Sequence, residues 1–121
     1  MIGYMFLLLV LLQVKHWYID FVNQNQKEVD GKGVYGNVDG LKHSIKHGVA
    51  TAVILCFFVY EPLIAIIFGF IDFLLHYHID YVKVHYGNRD NKTSAFWAQL
   101  GLDQMAHQLT YLGIVYALFG L

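Results

Sequence analysis

The segment Leu102-Asp103-Gln104-Met105-Ala106-His107 sets an aspartate and a histidine four residues apart inside an otherwise apolar C-terminal run. On a helix, residues at that spacing project from one face, one turn above the other. Such side chains are costly in hydrocarbon unless they meet partners. The rest of the chain repeats the spacing. His16 and Asp20 stand four apart in the first apolar segment, His43 and His47 in the second, and His76 and Asp80 in the third. Each of four segments therefore carries one pair of metal-ligand side chains.

Composition sets the class. Of 121 residues, 57% are hydrophobic and 14% charged, and the mean hydropathy is +0.45. A soluble domain is about half apolar and about a quarter charged, so this balance points to a membrane. The length suits a single domain, residues 1–121. A net charge of −1 lacks the basic surplus of a nucleic-acid binder. One cysteine, Cys56, permits no internal disulfide and lies in an apolar run, where it reads as a packing residue.

Four helices are expected. Residues 2–22 are long enough to cross ~30 Å of hydrocarbon. They lack the basic start and small-residue cleavage site of a signal peptide, so a retained helix is expected. Residues 23–40 are polar and glycine-rich and read as a flexible loop, with a weak turn or hairpin signal at Val34 and Tyr35. A second helix over 41–60 is ended by Pro62, which cannot continue the hydrogen-bond ladder. A third spans 63–84. After a polar turn, Thr93 or Ser94 caps a fourth over 95–121. The fold class expected is all-α, a four-helix transmembrane bundle with an intramembrane His/Asp metal site.

Lys27, Lys32, Lys42, Lys83, Arg89 and Lys92 all fall in or beside the two long loops, whereas the termini and the Glu61 turn carry no Lys or Arg. By the positive-inside rule both loops are cytoplasmic. All four ligand pairs then fall in the cytoplasmic half of the membrane, at ~1.5 Å per residue, with the fourth somewhat deeper. Unrelated polar residues have no reason to share a depth.

Three aspartates (Asp20, Asp80, Asp103) and five histidines (His16, His43, His47, His76, His107) suit a divalent metal. Zinc is favoured, with iron, manganese or nickel compatible, as one ion with a hydrogen-bonded surround or as two. Asp72, one turn before His76, reads as a deep ligand, a supporting carboxylate or a proton carrier. His78 and His85 lie off the shared face. Lys15, Lys42 and Lys46 are expected to snorkel to the cytoplasmic surface. The aromatics form an interfacial belt and pack the helices.

His16-x-x-x-Asp20-Phe21-x-x-Gln24, Lys27, His43-x-x-x-His47, His76-x-x-x-Asp80-x-x-Lys83 and Asp103-Gln104-x-x-His107 together resemble the domain-of-unknown-function 3307 family of small bacterial and phage membrane proteins. The resemblance spans nearly the whole chain. It implies an integral membrane protein with a metal site, and it adds Gln24, Lys27, Lys83 and Gln104 as functional positions.

Two function classes remain. A membrane metal-dependent hydrolase would use the metal to lower the pKa of water, with Asp103 as base and Gln104 orienting water or substrate. Lys83 would then bind an anionic lipid or prenyl phosphate at the cytoplasmic mouth. An oxidative di-iron enzyme is disfavoured by the single His-x-x-x-His. The alternative is a metal or proton transporter, or a metal-stabilised interaction module. Transport is disfavoured by the apolar outer halves of the segments. The partners expected are the bilayer of a bacterial inner membrane and an anionic lipid, with homo-oligomerisation open and no nucleic acid.

Overall fold

Helix follows helix along the whole of residues 1–120, which the computed structural model describes, and no strand occurs among them. Helix α1, Ile2–Trp17, runs without interruption into a π-helical turn, Tyr18–Val22. That turn closes with the Asn23 N–H bonded to the Tyr18 carbonyl at 2.8 Å. A π turn holds one residue more than an α turn, so it shifts the register at Asp20 relative to the helix before it.

The segment 23–40, expected as a loop, contains a further helix, α2, Gln26–Gly31. Asn25 Oδ1 accepts the Glu28 N–H and the Glu28 carboxylate accepts the Asn25 N–H, each at 2.9 Å. This capping box satisfies two donors that such a short helix would otherwise expose. Gly31 and Gly40 then let the chain fold back on itself, since a Cβ on Gly31 would stand 2.8 Å from the Gly40 nitrogen. Gly36 takes the left-handed φ of +85° that the return to helix requires.

Helix α3, Val38–Leu55, starts from Asn37, whose Oδ1 accepts the N–H groups of Asp39 and Gly40. It ends five residues before the expected boundary. Phe57 and Phe58 bond back three residues, to Ile54 and Leu55, and that tightened turn closes the helix. Helix α4, Pro62–Tyr86, begins with the proline at its first turn, where no N–H is missed. Helix α5, Ser94–Phe119, is capped by Thr93, whose Oγ1 accepts the Phe96 N–H.

Helices α3 and α4 touch backbone to backbone at Gly48 and Gly69. A Cβ on either glycine would lie 2.6–2.7 Å from the other's carbonyl oxygen. Small residues at a helix crossing permit this approach. The contact fixes the register of the His43/His47 pair against the His76/Asp80 pair.

The bundle interior is divided along its length. Towards the termini it is apolar, built from Leu8, Leu12, Leu55, Ala65, Ile114 and Val115. Towards α2 and the α4–α5 turn it is polar, built from buried His, Asp and Lys. The outside is apolar: Phe6, Val10 and Val14, Val49 and Val53, Ile66 and Phe70, and Leu109 and Leu112 are all exposed. At its polar end this reverses the arrangement of a soluble bundle. Ile2–Val22 and Pro62–Tyr86 are long and apolar enough to cross a membrane. In α3 and α5 the ligand pairs and their polar neighbours dilute the apolar runs.

Candidate metal centre

Helical spacing brings the eight expected ligands to one place. His16, Asp20, His43, His47, His76, Asp80, Asp103 and His107 are all buried, and His43 and His47 are wholly so. The π-helical turn aims Asp20 into the bundle, where its Oδ1 lies 2.8 Å from His47 Nε2, 2.9 Å from His43 Nε2 and 3.5 Å from His76 Nε2. Asp20 Oδ2 stands 3.2 Å from His16 Nε2. From α4, Asp80 reaches His107 Nε2 with Oδ1 at 3.0 Å and His76 Nε2 with Oδ2 at 3.1 Å. The rings of His47, His76 and His107 form a stack, with centroids 3.6 and 4.0 Å apart, which fixes their orientations.

Two sets of side chains could hold an ion: Asp20, His43, His47 and His76, and then His76, Asp80 and His107. Within each set, every ligand atom lies within 4.8 Å of the others. Ligands about 2.0–2.1 Å from one tetrahedral ion stand about 3.3 Å apart. His43 Nε2 and His76 Nε2 are 3.3 Å apart, and the carboxylate contacts fall on either side of that edge. The donor set fits a divalent cation, and His76 belongs to both groups. His43 Nδ1 and His76 Nδ1 are buried without a hydrogen-bond partner.

His16 and Asp103 fall outside both sets, and the hydrogen-bond chain through them shows why. Lys15, expected at the surface, is buried instead: its Nζ lies 2.9 Å from Asp72 Oδ2, 3.0 Å from His47 Nδ1 and 3.1 Å from the Tyr111 hydroxyl. Its position on α1, one turn past the buried Leu12 and two past Leu8, points it into the bundle rather than along it. An ammonium only donates, so the Tyr111 oxygen accepts from Lys15 and its O–H goes to His16 Nδ1, 2.8 Å away. His16 then carries its proton on Nε2 and donates to Gln104 Oε1 at 2.7 Å. At the other end Asp103 only accepts, so the Gln104 amide donates to Asp103 Oδ2 at 3.0 Å. Both ends have one allowed direction, and they agree. His16, with its Nε2 protonated, positions Gln104 and Asp103.

Asp103 Oδ2 also receives Lys83 Nζ at 3.4 Å, whereas its buried Oδ1 faces His107 Nε2 at 3.4 Å, beyond a good hydrogen bond. Asp72 supports Lys15 and accepts the Thr51 hydroxyl at 2.5 Å. Gln24 donates to the Asp20 carbonyl at 2.8 Å and accepts from Lys32. Lys27 is exposed and touches none of the cluster. His78 and His85 are exposed, His78 against Tyr35 and His85 donating to the Gly33 carbonyl.

Sequence reasoning missed Lys15, Lys32 and Tyr111. Lys32 is buried and its Nζ lies 3.2 Å from Asp80 Oδ2, delivered by α2 rather than by any helix of the bundle. A signal existed for Tyr111, which continues the Asp103, His107 spacing by one more turn. None existed for Lys32.

Fold and site define an all-helical protein with a buried His/Asp cluster compatible with a metal ion. The chain belongs to the DUF3307 family, described as proteins of unknown function, and the match covers residues 7–121. No curated protein and no solved structure matches it.

Proposed function

We propose that the chain is a single integral membrane domain, a four-helix transmembrane bundle that acts as a metal-dependent hydrolase on an anionic lipid. The observation that carries this reading is the polar interior: five histidines and four aspartates buried among helices whose outer faces are apolar. A lipid environment is the solvent that accommodates such an outside. The buried groups then mark function.

Neutral imidazoles with carboxylates suit zinc first, and iron or manganese with the same ligands. Asp20, His43, His47, His76, Asp80 and His107 would hold one ion or two. Such an ion supplies Lewis acidity and makes water a nucleophile near neutral pH. Asp103 accepts the proton of the attacking water at Oδ1, whose nearest polar neighbour is His107 Nε2 at 3.4 Å. Gln104, held by His16, keeps Oδ2 occupied so that Oδ1 is the atom offered. Lys83 binds the substrate's negative charge beside it.

The two lysine-bearing loops meet at one end of the bundle, where Arg89 pairs with Asp30 at 2.6 Å and the Gly36 N–H donates to the Tyr77 hydroxyl at 2.6 Å. The positive-inside rule puts that end in the cytoplasm of a bacterial cell. The apolar interior at the other end supplies no ionisable groups for a path through the bundle, so catalysis is favoured over transport.

The test incubates metal-loaded protein with a panel of phospholipids and prenyl phosphates and follows metal-dependent product by mass spectrometry. Turnover lost in Asp103→Asn while metal is retained supports the reading. No turnover with any headgroup leaves a metal-stabilised membrane module as the account.

A further inference from the structure

Between α4 and α5 a groove of about 490 Å³ opens on the side of the bundle. Its walls repeat at helical spacing, with Ile79, Val82 and Tyr86 facing Leu102 and Ala106. From Ile79 to Tyr86 it runs about 10 Å along the helix axis. Lys83 and Asp103 both line it, so this apolar channel leads to a cation and to the Asp103 carboxylate.

At the Lys83 end the groove adjoins a more polar cavity of about 300 Å³, lined by Gln26, Asn88 and Arg89 and sharing Lys83 and Gln99 with it. The 3.4 Å separation of Lys83 Nζ from Asp103 Oδ2 is longer than the 2.7–2.9 Å of a strong charge-assisted bond. Lys83 makes no other side-chain hydrogen bond among the described residues, so its remaining donors are free for an anion. The other surface grooves differ. The one at Gly48 and Gly69 reaches no cationic side chain. The one between α1 and α3 touches Lys15 and Lys46, but Lys15 already has three polar partners and Lys46 pairs with Glu28.

We propose that the α4–α5 groove binds a phosphate-headed lipid, with one hydrocarbon chain between the helices and the phosphate on Lys83 beside the polar cavity. The proposal deepens the hydrolase reading and rests on it for the membrane setting. Apolar walls accept the chain without specificity for its length, and the ammonium selects an anionic head over a neutral or cationic one. The lipid enters from the side, and its head stops next to Asp103.

Dodecylphosphonate is the probe, because its carbon–phosphorus bond keeps binding separate from hydrolysis. Binding to the metal-loaded full chain in phosphatidylcholine nanodiscs is expected to be saturable, with one molecule per chain. Dodecyltrimethylammonium and inorganic phosphate should not compete. Lys83→Ala should weaken binding about tenfold, as should Ala106→Trp, which fills the groove. Val53→Trp, on the outer face of α3, should leave it unchanged. A single-chain phosphonate carrying a diazirine provides a second measurement that needs no variant, and its adducts should fall within 79–86 and 99–106. Adducts confined to α1 or α3, or binding equal for the cationic amphiphile, would overturn the proposal. Saturable phosphonate binding without lipid turnover sustains the groove while the hydrolase reading fails. Turnover without saturable phosphonate binding does the reverse.

Discussion

Lys15 and Asp72 face each other at 2.9 Å with side chains only 4% and 1% exposed, joining α1 to α4 beneath the histidine cluster. The pair is the centre of a network: Thr51 donates to Asp72, Lys15 donates to Tyr111, and His47 Nδ1 lies 3.0 Å from the Lys15 nitrogen. Removing one partner of a buried pair strands the other charge, at a cost of about 3–5 kcal/mol. Lys15→Met and Asp72→Leu should each be destabilising on that scale. The double variant should cost less than either single change, because neither charge is orphaned. Unfolding in detergent measures this cycle, and simple additivity would show that the two side chains are not coupled.

The histidines separate into ligands and supports. His47→Ala, His76→Ala and His107→Ala should each lower bound metal, with His76 the most severe because it belongs to both ligand sets. His16→Ala should keep most of the metal and instead free Gln104, and His85→Ala should change neither. Tyr111→Phe should act like His16→Ala, since it removes the O–H that sets the His16 proton. Nitrogen NMR of histidine-labelled protein reads this directly. His16 should show its proton on Nε2, and Tyr111→Phe should disturb that signal.

How much of this was legible in the sequence follows from which interactions are local. The i, i+4 pairs announce themselves because helix geometry alone places them on one face, and burial then brings the four faces together. Thr93 as the cap of α5 is local in the same sense. Lys15 was misread because a lysine two turns from the end of a helix has an easy route to water, and only its pairing with Asp72, 57 residues away, turns it inward. Lys32 was invisible for a stronger reason. Its burial depends on α2, whose capping box and Gly31–Gly40 contact are packing events inside a stretch that composition describes as loop.

The Gly48–Gly69 crossing holds two ligand pairs in register, so it should be sensitive to added volume. Gly69→Val puts branched carbons where a Cβ alone would stand 2.6 Å from the Gly48 carbonyl and 2.8 Å from the Ala52 Cβ. Helices α3 and α4 must separate, at about 1–3 kcal/mol, and His43 and His47 move away from His76. Metal content should fall although no ligand has changed. Gly3→Val, where a Cβ would meet nothing within 4 Å, is the control.

Anchoring of α2 should depend on pH through Glu28. Burial pushes its carboxyl up, but the Lys46 ammonium and the Asn25 N–H outweigh this and hold it below its ordinary value of 4.5. A carboxyl lowered on folding contributes stability that is complete above its ordinary value and lost as pH falls through the lowered one. Hydrogen exchange over residues 26–31, corrected for intrinsic rate, should therefore stay slow on acidification to pH 4.5 and quicken below it. Glu28→Gln should abolish that dependence.

A metal held by the buried His/Asp cluster is measured by elemental analysis of the purified chain. One or two equivalents of a divalent transition metal per chain are expected, reduced sharply in His76→Ala. A fully folded protein with a metal content near zero, unchanged in that variant, would contradict it and leave the cluster as a hydrogen-bonded network.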